Sequence, residues 1–159
     1  MTLLPTMKSR LAAPSDVVDV THIGDLKGIN NQESGFLKSI FGGKENVVTI
    51  GAATTHAEVA DSAELRAICP ALCDLASHIG DPHVRHRGTI GGSVANNDPA
   101  ADYPAAMMAL NATIVTNKRS IAADDFFTGM FDTALDDGEM IVAVSFKAPK
   151  KAAYAKFPN

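Results

Sequence analysis

Tryptophan is missing from this chain of 159 residues, and cysteine occurs only at Cys69 and Cys73. With Pro70 between them, the two thiols have neither zinc-knuckle nor disulfide-framework spacing; two buried thiols are expected. His83 and His86 lack carboxylate or thiolate partners at ligand spacing, so no metal site is implied. No apolar run approaches the ~18 residues needed to cross a bilayer. The opening MTLLPTMKSRLAAPSD offers only Leu3 and Leu4 before Pro5 and charges, so no signal-peptide apolar region is expected. A cytoplasmic location is expected. With a formal charge of −4, the chain has no global basic field, so nucleic acid and an anionic membrane are poor partners. The single local basic cluster is HVRHR, residues 83–87.

What is present suits a packed fold. At 46% hydrophobic and 20% charged residues, the chain can bury a core as one globular domain or two small lobes. DVVDV (16–20), NVVTIGAATT (46–55), TIVT (113–116) and MIVAVSF (140–146) read as strands, and NNQESGF as a turn. Thr55 begins HAEVADS with Glu58 three residues on, the pattern of a capping box. From Glu64 to Ile79, apolar residues recur at spacings of three and four, marking one helix face. Pro70 interrupts that pattern, which predicts either a kink or a fresh helix start. Met107 and Met108 are expected in the core, and Asp124 and Asp125 at a helix cap. Strands and helices interleave over short connections, so the predicted class is α+β, with α/β-like character.

The most unusual stretch is TIGGSVANNDPAAD, residues 89–102. A glycine pair permits positive φ and removes β-carbons, so amides can converge on an anion. Asn97 or Asp98 would then cap a helix starting at Pro99, whose free amides favour a phosphate. Asp102 would repel that phosphate, and suits sugar or polyol hydroxyls instead. A bare turn with a solvated Asp102 is the competing interpretation. No G-x-x-x-x-G-K-[ST] or G-x-G-x-x-G pattern is present, which disfavours a nucleotide kinase or a Rossmann dehydrogenase.

Three separated segments, TIGAATTHAEV (49–59), IGDPHVRHRGTIGGSVANNDPAADYPA (79–105) and DDFFTGMFDTALDDGEMI (124–141), together resemble the flavoprotein medium subunit of molybdenum hydroxylases, the carbon monoxide dehydrogenase and xanthine dehydrogenase family. The resemblance implies an FAD-binding domain of two small α/β subdomains spanning 1–150. It also implies electron transfer from 2Fe-2S clusters on a small partner subunit, through FAD, to an external acceptor, with molybdopterin on a large subunit. Such a chain is an oxidoreductase subunit that supplies no catalytic residue of its own for the substrate.

By motif, Thr89, Gly91, Gly92 and Ser93 would line the flavin diphosphate, with Ala95 and Asn96 continuing that wall. Asp102 would meet hydroxyls, and Ile79, Gly80 and Val84 would touch the cofactor from the preceding loop. Met140 and Ile141 would add apolar contacts, and Lys156 in YAKF would reach the flavin. The family's earlier AGG-type turn is represented only by Thr2 and Leu3. The first subdomain is therefore expected to be incomplete, residues 151–159 to begin a missing C-terminal domain, and the chain to be truncated at both ends. A non-redox nucleotide-binding module and an inactive truncated remnant are the alternatives.

Overall fold

The computed structural model describes residues 3–30 and 47–157. After a short helix α1 (Leu3–Lys8) and a 3-10 turn at Gly24–Leu26, the described chain builds one antiparallel sheet from β1 (Ile29–Asn30), β2 (Val47–Gly51), β3 (Thr113–Thr116), β4 (Ser120–Ala122) and β7 (Ile141–Lys147). Their order is β1-β2-β7-β3-β4, so the last strand in sequence lies in the middle. Val144 pairs with Ile50 on one side and Ile114 on the other. This central position explains why β7 is buried almost continuously rather than at alternate residues: Ala143, Val144, Ser145 and Phe146 are all buried. Two short strands, β5 (Phe127–Gly129) and β6 (Asp132–Thr133), form a separate hairpin.

Helices α2 (His56–Asp61), α3 (Ala63–Ile68), α4 (Pro70–Ser77), α5 (Pro82–Arg85), α6 (Ile90–Asn96) and α7 (Asp102–Ala109) follow β2, and α8 (Ala123–Phe126) follows β4. The capping box forms as expected: Thr55 N donates to Glu58 Oε2 at 2.7 Å while Glu58 N donates to Thr55 Oγ1 at 3.2 Å. Pro70 resolves the ambiguity of its segment by starting a fresh helix, where its missing N–H costs nothing. Leu65, Leu72, Leu75 and Ala76 enter the core with Tyr103, Met107 and Phe126. The mixed α+β class agrees with the expectation.

Several local expectations are corrected. Residues 16–20 form no strand, and Val17 and Val18 are exposed; an isolated apolar pair without a neighbouring strand cannot satisfy its backbone. Asp124 and Asp125 occupy the first turn of α8, where their charge suits the helix dipole, but Ala122 is the N-cap and no side chain caps it. Met107 is buried, whereas Met108 is 43% exposed, because adjacent helix positions face different directions. NNQESGF begins at Asn30, in β1; the rest lies outside the described residues.

One charged cluster ties the β3–β4 connection to the approach of β7. The fully buried Glu139 side chain receives Arg119 Nε and Nη2, both at 3.0 Å, Thr116 Oγ1 at 2.6 Å and Asp136 N at 2.9 Å. These donors, Arg119 foremost, hold the Glu139 carboxyl at about 2, well below its ordinary range.

Candidate functional site

Residues 89–96 do not form an open glycine loop. Thr89 is the N-cap of α6, its Oγ1 accepting from Gly92 N at 3.1 Å, and the glycine pair lies inside the first helical turn. Neither Gly91 nor Gly92 has positive φ. The glycine is needed for proximity instead: a β-carbon on Gly91 would stand 2.5 Å from that of Ala52. The expectation of converging free amides is therefore corrected. Ile90 N donates to Thr54 O, Gly91 N to Ala52 O, and Ser93 N to Thr89 O, so this turn is fastened to the chain leaving β2.

The next helix also starts later than expected. Asn97 takes the left-handed conformation, φ 43° and ψ 47°, as the C-cap of α6. Its side-chain amide donates to Gly129 O at 2.7 Å and Asp132 O at 2.8 Å, which pins the β5–β6 hairpin against α6. Asp98 Oδ1 accepts from Ala100 N, and Ala101 N donates to Asp98 O, closing a turn. Pro99 falls in that turn, and α7 begins at Asp102.

The candidate residues separate into two neighbouring cavities that share Ala101. One, of about 140 Å³, is lined by Thr89, Gly92, Ser93 and Asn96, with His56, Gly88 and Asp98. The Ser93 hydroxyl and the Asn96 amide have no protein partner among the described residues. Side chains, rather than backbone amides, are what this cavity offers a ligand. The other, of about 530 Å³, has a largely apolar wall that includes Leu72, Leu75, Ala106 and Leu110, and carries Asp102 and Lys156. Lys156 Nζ donates to Asp102 Oδ2 at 3.0 Å, so the lysine that sequence placed at the ligand is here the partner of the acid. Burial, with Asp102 beside it, pushes the Tyr154 phenol up to about 12.

The remaining candidates lie elsewhere. Gly91 is buried against Ala52, and Ala95 packs on the core. Ile79 and Gly80, the latter at φ 54°, precede α5, and Val84 lies within it, yet none of the three lines either cavity. Met140 is 38% exposed and bonded through its backbone to Asn117, while Ile141 is buried in β7. Leu3 is exposed on α1, and Thr2 lies outside the described residues.

Sequence reasoning missed His56, Asp98 and Tyr154 as cavity residues. His56 begins α2, and its position beside Gly88 comes from pairing across 32 positions of chain: Thr55 bridges Thr89, and His56 N donates to Gly88 O at 2.9 Å. His56 is 5% exposed, and burial lowers its ring to about 4, so it is neutral near pH 7. Its ring lies 5.4 Å from that of Tyr103. Neither His56 Nδ1 nor the Tyr103 hydroxyl has a hydrogen-bond partner among the described residues.

Comparison with known proteins bears on this geometry. The family model described as the FAD binding domain in molybdopterin dehydrogenase matches residues 1–149. The carbon monoxide dehydrogenase medium chain of Afipia carboxidovorans is 38% identical over 151 residues, covering 92% of this chain and 48% of that relative. Reconstituted CO dehydrogenase from Oligotropha carboxidovorans superposes with a TM-score of 0.82 at 37% identity, covering 93% of this chain and 49% of the other. Quinoline 2-oxidoreductase from Pseudomonas putida 86 gives 0.82 at 31% identity, covering 94% and 50%. This chain spans about half the length of these relatives.

Proposed function

Because this chain belongs to the family of FAD-binding domains in molybdopterin dehydrogenases, we propose that residues 1–150 bind FAD as the electron-transferring part of an oxidoreductase of the molybdenum hydroxylase type. FAD, when bound, would take electrons from 2Fe-2S clusters of a small partner subunit, themselves reduced by a molybdopterin-bearing large subunit, and yield them to an external acceptor. The chain's own part is to bind and orient the cofactor.

The observation that carries this reading is the family match across TIGGS, joined to the placement of Thr89, Gly92, Ser93 and Asn96 on one small polar cavity. The cavity residues fit a hydroxyl- and oxygen-rich segment. Gly92 leaves room beside Thr89 Oγ1, Ser93 and Asn96 have hydrogen-bonding groups without a partner among the described residues, and the His56 ring lines the cavity beside Gly88. No lysine or arginine lines this cavity. Thr89, Ser93 and Asn96 would hold the sugar-phosphate portion by neutral dipoles. Asp102 would accept from hydroxyls in the adjoining cavity, exchanging its bond to Lys156, and the apolar wall there would exclude water from a flat ring.

Titration of the purified chain with FAD, followed by quenching of flavin fluorescence, tests this reading. Saturable binding at one site per chain is expected. A chain that leaves FAD fluorescence and its elution on gel filtration unchanged up to millimolar protein would overturn it.

A further inference from the structure

His56, a buried residue at the start of α2, also borders the small polar cavity. It lines the polar cavity with Thr89, Ser93 and Asn96 while being 5% exposed. The segment that makes room for it is Gly88, where a β-carbon would meet His56 Nε2 at 2.6 Å. Gly88 lines the same cavity, so the Nε2 edge of the ring borders it. The other ring nitrogen, Nδ1, is sealed from solvent and has no hydrogen-bond partner among the described residues.

A neutral imidazole carries one proton, and the two tautomers are not equivalent here. Nδ1 lacks a partner in either tautomer, but a buried orphan N–H is the rarer state than an unsatisfied acceptor. A proton on Nε2 points the donor toward the cavity, where water or a ligand can accept it. Burial of the ring opposes a charged form, leaving a neutral donor that does not compete with solvent for a counter-ion.

We infer that His56 donates a hydrogen bond from Nε2 to an oxygen of the ribityl–diphosphate segment of bound FAD, in the cavity it lines with Ser93 and Asn96. The ligand class follows from the walls: a neutral donor with hydroxyl and amide groups suits oxygen acceptors, and the Asp98 carboxylate, one oxygen of which is held by Ala100 N, favours the hydroxyl-bearing ribityl end over the anionic phosphates. This inference rests on the FAD-binding reading.

The test compares FAD affinity for the wild-type chain, His56→Leu and His56→Gln by fluorescence titration, with thermal melts of each unliganded protein. Gln keeps an N–H near the position of Nε2, whereas Leu keeps bulk without a donor. The expected result is that His56→Leu weakens FAD binding about tenfold while His56→Gln stays within about threefold of wild type. Equal affinity in all three would overturn the inference and leave the FAD-binding reading intact. If the wild type itself fails to bind, the FAD-binding reading falls. Should His56→Leu melt below the assay temperature, His56→Phe, which keeps a ring without a donor, takes its place, and a folded His56→Phe of wild-type affinity overturns the role.

Discussion

The backbone of Gly91 rests directly on Ala52: its amide donates to Ala52 O at 2.9 Å, and a β-carbon added to it would lie 2.5 Å from the Ala52 β-carbon. This contact couples the first turn of α6 to the end of β2, and so sets where Thr89, Gly92 and Ser93 stand. Gly91→Ala must push the two segments apart, and the expected cost is about 1–3 kcal/mol. Chemical denaturation measures it, and unchanged stability would show that the segments can separate freely. FAD affinity should fall in the same variant, because the displaced turn carries the cavity wall.

Thr89 acts through its hydroxyl. Thr89→Ala removes the acceptor for Gly92 N and should cost about 1 kcal/mol, whereas Thr89→Ser should recover most of that. Equal loss in both variants would assign the effect to the methyl group.

Asp102 and Lys156 form a partly exposed ion pair, with side-chain exposures of 21% and 38%. Such pairs contribute at most about 1 kcal/mol, so Asp102→Asn should leave the melting temperature nearly unchanged. If Asp102 accepts from cofactor hydroxyls, the same variant weakens FAD binding about fivefold or more. A large loss of stability with intact affinity would instead make the acid a structural latch.

Two groups give the fold separate acid sensitivities. The His56 ring is lowered from 6.5 to about 4 by burial, so the unfolded chain binds more protons between those values and stability declines as pH falls through that window. Glu139 is lowered from 4.5 to about 2, chiefly by its hydrogen bond from Arg119. Its contribution is present above 4.5 and lost as pH falls toward 2. His56→Gln should flatten the upper window alone, and Glu139→Gln the lower one alone, in melts recorded across pH. A wild-type curve flat from pH 6.5 to 4 would contradict a neutral buried His56.

Much of the local order was legible in sequence because its causes are short-range. The Thr55–Glu58 capping box and strand β3 each depend on residues within a few positions of one another, and Pro70 marked a break whose form, a fresh helix start, the structure decided. The α+β class followed from their alternation. The GG segment was misread for the same reason: in isolation, two glycines permit a turn, and only the approach of Ala52 shows that Gly91 serves close packing within a helix. Met107 and Met108 differ because helix rotation, rather than hydrophobicity, chooses which one enters the core.

Sequence alone established the α+β class, several individual elements and the motif that carries the family resemblance, since those depend on spacing and side-chain chemistry along the chain. Tertiary structure alone decided that β7 is central, that Asp102 meets Lys156 across 54 positions of chain, and that His56 reaches the cavity beside Gly88. Each of these requires distant segments to pair, and local propensity contains no information about which distant segment wins that pairing.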